Sequence, residues 1–555
     1  MFRNYLLLLL LLLSGFASAQ FPQDSLLNYV VDDATGSEQS VPLTATTANG
    51  NTFISWFDNS SGQYRLKMQL LDMDGIPQWA QGGIVVSAFP QNSALFRYDL
   101  EADNDGNAIV AFQDERSGSL QVVAYKISST GASLWGNGIL LQDSTSDGLS
   151  PRVTVTTAND VIIAWNAAAG SSKWVAYAKV TSGGQLNWIK RVWNGQKYSR
   201  AVMLPAAGDG FKMLYVQESG GFPGGTSTMY LQHFDSSGTA LWPSAVLVSS
   251  QTISFFFFPE IISDHHDGVY IAFNTGNPIN PMMNDVYAQH IDSAGVKWSS
   301  TGTQCANSTT EHKLTGGFAT NSTGTELYVA LQVLNSSQGN SGISLQKLNS
   351  IGGVQLGSNA MNLRPVSSAY YLPVGIVDEG NGVMIAYILG GFGSQTLQAL
   401  STDYNGTALW GYDPMIAATL SNKDDVSCGP YLNGQVVLVW SDDRIDGGIY
   451  AQNIFTNGAF GPHVGLEEHS IIQHAVLFPN PAASPKISIL SETTHQVIIR
   501  LLSITGQTGY EQAVQLIPGS QEIPLNYSGA EGFYAVQIIS DARPLWCGKW
   551  INCAH

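Results

Sequence analysis

Asp103-Asn104-Asp105-Gly106-Asn107 sets three oxygen-bearing side chains, Asp103, Asp105 and Asn107, at alternate positions of a tight turn, as a loop does when it gathers hard ligands around Ca²⁺. Asp264 with Asp267-Gly268 offers a sparser second set. Neither stretch has the bidentate Glu at the twelfth position, and Asp-Gly between two strands is also ordinary hairpin chemistry. The hairpin reading takes precedence: no cofactor or metal is expected, with calcium at Asp103, Asp105 and Asn107 as the alternative. Asp114-Glu115-Arg116-x-Gly118 and Asp442-Asp443-Arg444-x-x-Gly447 place a guanidinium two residues after a carboxylate, and Asp58 stands at the equivalent place further upstream. Such an Arg can bridge the carboxylate to loop carbonyls and pin a hairpin, or reach out to a ligand. His265-His266 reads as a solvated turn. His233 and His290 each follow a Gln at one repeat position, which suggests strand-surface residues rather than metal ligands. Paired carboxylates for glycoside hydrolysis cannot be chosen by spacing when the candidates sit on different repeats, so the catalytic residues, if any, are unknown.

The elements that must position these residues are short strands in a long repeat. Pro259 to Trp298 is the clearest copy, four short strands with an acid-Gly turn at Asp267-Gly268 and another at Asp292 to Gly295. A large apolar residue marks the second strand at Trp56, Phe112, Trp165, Tyr215, Phe273, Leu331, Tyr387 and Trp440, in steps of 56, 53, 50, 58, 58, 56 and 53. A Gly followed three or four residues later by an aromatic marks the fourth strand at Trp79, Trp135, Trp188, Trp242, Trp298 and Trp410. One copy is blank, where Gly352 and Leu356 keep the frame. Two marks with one period, and no amphipathic helix between them, predict an all-β fold: an eight-bladed β-propeller, with seven blades as the alternative. The six Trp are expected at one equivalent buried site. Leu26-Leu27-Asn28-Tyr29-Val30-Val31-Asp32 resembles the strands that end other copies, whereas the last copy ends raggedly at Gly458 to Pro462. The N-terminal strand is therefore expected to complete the last blade and remove the open sheet edge.

Charged residues are only 12% of the chain, and 24 Lys and Arg stand against 42 Asp and Glu, a net charge of -18. That balance disfavours nucleic acid and anionic membrane surfaces as partners. Four Cys are present, but Cys305 and Cys428 fall on repeats that are not neighbours in a ring. Cys547 and Cys553 lie in one apparent strand, about 20 Å apart at ~3.3 Å per residue, so no structural disulfide is expected unless that strand breaks at Gly548.

The two ends of the chain carry addresses. Arg3, the Leu run Leu6 to Leu13 and Ala17-Ser18-Ala19 read as a secretory signal peptide over 1–19, cleaved between Ala19 and Gln20, and no later run is long enough to span a membrane. The repeats occupy 20–465, a short polar linker 466–474, and a small β-sandwich 475–555. In the sandwich, Leu477-Phe478-Pro479-Asn480-Pro481-Ala482, Ile504-Thr505-Gly506-Gln507, Gly529 to Val536 with Gly532 and Tyr534, and Gly548-Lys549-Trp550-Ile551 resemble the type A C-terminal sorting domain of the type IX secretion system. The resemblance implies an Ig-like fold, the type IX machinery as partner, and delivery to the outer-membrane surface or medium of a Gram-negative bacterium. The repeats, with Tyr287-Ala288-Gln289 and Tyr450-Ala451-Gln452 beside the Asp-Arg-Gly signatures, resemble secreted bacterial propeller-like repeats. Sialidase boxes, which place Asp five residues before Trp, do not fit: Asp72, Asp235 and Asp292 precede their Trp by six or seven. No motif selects a triad among Arg65, Arg97, Arg116, Arg152, Arg191, Arg200, Arg364 and Arg444. The expected function is non-catalytic binding of a glycan or protein by an exported propeller. The alternatives are a sialidase-like hydrolase or lyase using the central funnel, and a structural component of the surface layer.

Overall fold

The computed structural model describes residues 20–89, 91, 97–142, 146–220, 225–253, 257–280, 282–463, 472–491, 494–503, 507–540 and 543–553. The expected signal peptide 1–19, with Ala19, lies outside the described residues, as does Gly506; Gln20 is the first residue described. The chain divides into two compact units, Met1–Pro462 and His463–His555. No helix among the described residues is long and apolar enough to cross a membrane.

The first unit is all-β and propeller-like. Among the described residues it holds eight four-stranded antiparallel sheets, in chain order. The first comprises Gln39–Thr46, Thr52–Asp58, Arg65–Leu71 and Ile84–Val85; the third, Asp147–Val155, Val161–Ala169, Ser172–Val180 and Leu186–Val192. Second strands such as Val161-Ile162-Ile163-Ala164-Trp165 are buried on both faces, which explains their near-continuous apolar runs. The eight marker residues from Trp56 to Trp440 each stand in the second strand of their sheet and are buried. The eighth sheet takes Lys423–Cys428, Gln435–Asp442 and Gly448–Phe455 from the end of the unit and Tyr29–Asp32 from its start, with Tyr29 opposite Ala451 and Val30 opposite Tyr450. The ring is closed by chain ends that lie more than 400 residues apart. Thr44 on the first sheet in turn bonds Ser427 on the eighth, 3.0 Å between hydroxyls.

One contact is repeated from sheet to sheet. A Trp after the third strand lies on the turn glycine of the following sheet, Trp79 on Gly131, Trp135 on Gly184, Trp188 on Gly238, Trp242 on Gly295, Trp298 on Gly352 and Trp410 on Gly458. Four of the indoles also donate Nε1–H to the carbonyl two residues before that glycine, Trp79 to Ser129 at 2.9 Å and Trp298 to Ser350 at 2.8 Å among them. The expected equivalence is present, but burial is uneven: Trp135 is buried and the other five are half-buried, because the indole edge faces solvent at the rim of each sheet pair. Glycine is required here. Gly184 has φ +86°, and a Cβ on it would stand 2.5 Å from Trp135 Cδ1. Trp135→Ala should cost about 3–5 kcal/mol in chemical denaturation, as large core truncations do, and the half-buried Trp242→Ala clearly less. Equal losses at the two sites would contradict the packing described.

The second unit has its own core. Ile472–Phe478, Lys486–Ser491 and Gly519–Pro524 form a three-stranded sheet; His495–Ser503, Thr508–Leu516, Gly532–Ser540 and Arg543–Asn552 form a four-stranded one. Ile487 and Ile489 of the first meet Val497, Ile499, Val536, Ile538 and Trp550 of the second. The linker expected over 466–474 is corrected at its C-terminal end, since Ile472 already pairs with Ser491 and His474 with Leu490. The polar look of His474 hid a strand whose partner lies farther along the chain. The last strand runs unbroken through Gly548, and Cys305, Cys428 and Cys553 are free thiols. Burial pushes the Cys428 thiol up to about 12.

Candidate functional site

The first strands of several sheets share a distortion. Register shifts interrupt Gln39–Thr46, Asp147–Val155, Lys197–Ala206 and Lys423–Cys428, and at each bulge one residue has positive φ: Val41 (+55°), Ser150 (+50°), Arg200 (+53°) and Asp425 (+50°). Bulges of this kind re-aim side chains, and residues held in the left-handed region store backbone strain. The sheets hold the bulges in place. Gln113 Oε1 accepts from Ser150 N–H at 3.1 Å, and Asn166 Oδ1 from Arg200 N–H at 2.7 Å, each from the sheet before.

Around the bulges of the third and fourth sheets lies a small open cleft, lined by Arg97, Ser150, Arg152, Asn166, Arg200 and Phe258 among others. Arg152 ion-pairs with Asp99 (3.5 Å) on the second sheet and with Glu260, which precedes the fifth. Glu260 also faces Arg97 at 3.9 Å, and the Arg97 guanidinium lies over the Phe258 ring, 3.9 Å from its centroid. Arg200 is buried and committed, donating to the Phe257 carbonyl (2.9 Å) and the Ser227 hydroxyl (2.8 Å), so it fastens the segment that carries Phe258 and Glu260.

The electrostatics follow from crowding. Burial raises the Asp99 carboxyl above the usual range despite the pull of Arg152. Burial, reinforced by Asp99, pushes Glu101 up to about 8, although solvent still reaches its side chain. Asp425, on the eighth sheet, is raised by burial and by Asp424, with Arg97 acting against them. Burial works against charge on Arg152, but Glu260 and Asp99 outweigh it and hold its pKa above the ordinary value. Four carboxyls thus surround two available guanidiniums, with an aromatic ring and the Asn166 amide beside them. Such a set can hydrogen-bond a polar, uncharged ligand in concert; a polyanion would meet net negative charge.

The residues singled out by spacing go elsewhere. Asp103 accepts from Lys126 Nζ at 2.7 Å and from the Asp105 and Asn107 backbone N–H groups, while the Asn107 amide turns its NH₂ toward it. The turn therefore offers Asn107 as a donor, and this is the Asx-turn arrangement of a hairpin. Asp264 is likewise engaged by His290 Nε2 (2.7 Å) and Asp267 by Lys212 (2.6 Å). Among the described residues no three His, Cys, Asp or Glu converge as metal ligands do. Placing His233 and His290 on a strand surface needs correction: His233 is buried and His290 half-buried, in the third-strand position that Lys126, Lys179 and Lys347 occupy in other sheets. Lys126, Lys179, Lys347 and His290 each reach an acid in the turn that leads into the neighbouring second strand or at that strand's start. Arg116 grips Asp114 through Nε and Nη2 and donates to the Asn137 carbonyl at 2.6 Å, and Arg444 holds Asp442 (2.6 Å) and Asn28 (3.1 Å). Both pin hairpins.

In the second unit, Asn480 donates to the Lys549 carbonyl at 2.6 Å and accepts from Ile551 N–H at 2.9 Å, and Trp550 donates to the Ala482 carbonyl. The segment holding Pro479, Asn480 and Pro481 is thereby stitched to the last strand. Tyr534 donates to the Ala530 carbonyl at 2.7 Å, next to Gly532 at φ +152°.

No protein-family model and no curated protein matches the chain. Among solved structures it is similar to an ulvan lyase of a new polysaccharide lyase family, at 12% identity and TM-score 0.41 over 78% of this chain and 96% of that one. A protein of unknown function from Dyadobacter fermentans is similar at 8% identity and TM-score 0.35, over 58% of this chain and 96% of that one. A puromycin hydrolase is similar at 12% identity and TM-score 0.41, over 85% and 61%. Similarities this distant assign neither residues nor activity.

Proposed function

We propose that the protein is an exported eight-bladed β-propeller that binds an uncharged glycan at the Arg97–Arg152–Glu260 cleft without turning it over, followed by an Ig-like domain that addresses it to type IX secretion. The observation that carries the binding reading is the arrangement of Arg152, Asp99 and Glu260, planar polar groups from the third sheet, the second sheet and the segment before the fifth, meeting beside Phe258. Planar groups hydrogen-bond adjacent sugar hydroxyls in pairs, and an aromatic ring packs on the apolar face of a pyranose. Turnover would need an acid and a base on opposite sides of one bond. Here Asp99, Glu101 and Glu260 crowd one cluster, and two of them are tied to Arg152. The export reading is supported by the sorting-motif residues around Asn480 and by Met1 to Ala19.

A glycan array with the mature full-length protein, read beside a sugar-release assay on the same glycans, tests the proposal. Binding without release is expected. Arg97→Ala, at a half-exposed position, should leave the melting temperature in place and weaken binding about tenfold or more, the loss of a charge-assisted hydrogen bond. An array with no bound glycan, release of sugar, or an unchanged Arg97→Ala would each defeat it.

A further inference from the structure

A quarter of the chain's basic residues sits in less than a tenth of its length. Residues 161–208 hold six of the 24 Lys and Arg, namely Lys173, Lys179, Lys190, Arg191, Lys197 and Arg200, and no Asp or Glu, in a protein whose net charge is -18. Lys179 and Arg200 are buried and committed to the fold, Lys179 through Asp160 at 2.9 Å and Asp209 at 3.0 Å. Lys190 lies over Trp188 and donates to the Thr239 hydroxyl, and Lys173 meets Glu218 at 3.2 Å. Arg191 and Lys197 stay exposed and form no ion pair among the described residues.

The third sheet carries Arg191 to its outer rim. The last strand of that sheet, Leu186–Val192, runs for seven residues, where the last strands of the first, second, fourth and fifth sheets stop after two or three. Arg191 stands opposite Ala176 in the ladder, so it shares a face with Trp174, two residues from Ala176 on the same strand. Trp193 follows two residues after Arg191. The guanidinium faces both indoles, 5.7 Å from the ring centroid of Trp174 and 5.6 Å from that of Trp193. Trp174 is buried beneath it, whereas Trp193 is 51% exposed. Cation–π attraction holds the guanidinium in place and uses none of its five N–H donors. Six of the other seven Arg of the first unit are paired with a carboxylate. An aliphatic side chain would cover Trp174 equally well without placing an unpaired charge beside an open indole. Past Trp193 the chain turns at Gly195 (φ +91°), where Asn194 Oδ1 accepts from Gln196 N–H at 3.2 Å and from the Tyr198 hydroxyl at 3.1 Å, and Lys197 follows at the head of the fourth sheet.

We propose that Arg191 and Trp193, with Lys197 beyond the turn, bind an acidic polysaccharide, one whose sugar units carry a carboxylate or a sulfate, at a site separate from the Arg97–Arg152–Glu260 cleft. The oxyanion takes the free guanidinium through a forked pair of charge-assisted hydrogen bonds, the exposed indole packs on the apolar face of the pyranose that bears it, and Lys197 meets a further charge along the polymer. A neutral sugar would leave the guanidinium without a counter-charge. Nucleic acid is disfavoured because it is held through a row of phosphate contacts, and here two exposed cations stand in a strongly acidic protein.

Titration calorimetry of the mature full-length protein at low salt, with polygalacturonate, dextran sulfate and dextran as probes, tests the site. At least one charged polymer should bind, its identity separating carboxylate from sulfate, and neutral dextran should not. Arg191→Gln should weaken that binding about tenfold or more, the loss of a charge-assisted hydrogen bond, and Trp193→Ala roughly two- to tenfold, the loss of ring packing. Both positions are exposed, so the melting temperature should stay in place. Lys486→Gln, the same change of charge at a half-exposed residue of the second unit, should leave binding as it is. Failure of both charged polymers to bind, equal binding of dextran, or equal losses in Arg191→Gln and Lys486→Gln would each overturn the proposal. Tighter binding of oligothymidylate than of either polymer would also overturn it, by reassigning the rim to nucleic acid.

Discussion

Removal of residues 20–36 is expected to turn the folded protein into an aggregating, easily melted chain. The segment contributes the fourth strand of the eighth sheet, and without it Gly448–Phe455 becomes an open edge with unpaired N–H and C=O groups, a template for pairing with other copies. It also contributes the fully buried Phe21, which lies on Gly75 in the place that Trp holds at other junctions, and whose N–H donates to the Asp74 carbonyl at 3.0 Å. Asp32 would leave Lys67 and the Trp56 indole N–H, at 2.6 and 3.0 Å, without their buried acceptor. Asn28 would no longer meet Arg444. Phe21→Ala alone should cost about 3–5 kcal/mol. The full deletion removes a strand and a buried acceptor as well, and should exceed about 5 kcal/mol, the size of a typical domain's whole stability. Size-exclusion chromatography and thermal melting check it. A truncated protein that stays monomeric with an unchanged melting temperature would mean that the strand is not the clasp.

Local chemistry made the sheets legible, and its limits kept the site hidden. Gly75, Gly131, Gly184, Gly238, Gly295, Gly352, Gly406 and Gly458 are readable because each turn needs positive φ, and the Trp that follows six of them is large enough to mark the rim. The clasp was readable because Leu26 to Asp32 has the composition of a strand and the last copy lacks one. Phe21 was not, since nothing in Gln20-Phe21-Pro22 distinguishes a core residue from a tail. The cleft had no sequence signal at all. Arg97, Arg152, Glu260 and Asp425 stand on or just before four different sheets, and what brings them together is the closure of the repeat and the bulges at Ser150, Arg200 and Asp425. The Asp103 turn was ambiguous in sequence for the opposite reason. Its D-x-D-x-N spacing is common to cation loops and Asx turns, and the deciding residue, Lys126, lies a whole strand away.

Loss of the C-terminal unit should separate folding from delivery. The cut belongs before Ile472 rather than Ala475, because Ile472–Phe478 is already paired with Lys486–Ser491 and a later cut would leave half a hairpin. Each unit buries its own core, and the first closes its eight sheets with its own N-terminal strand, so residues 20–463 should fold and melt as they do in the full chain. Under the proposed sorting role, the signal peptide takes that truncated chain across the inner membrane and nothing takes it farther. Fractionation of the native host should find full-length protein on the surface or in the medium and the truncated protein folded in the periplasm. A subtler variant keeps the fold in view: Asn480→Ala removes the donor to the Lys549 carbonyl and the acceptor for Ile551 N–H, loosening the seam between the first and last strands of the second unit while its Ile- and Val-rich core stays whole. Reduced surface delivery of a folded Asn480→Ala protein is the expected result, since a recognised seam must keep its shape. Surface display of the chain lacking residues 472–555 would remove the basis for the sorting role, and degradation of that chain in the periplasm would show instead that the two units fold as one.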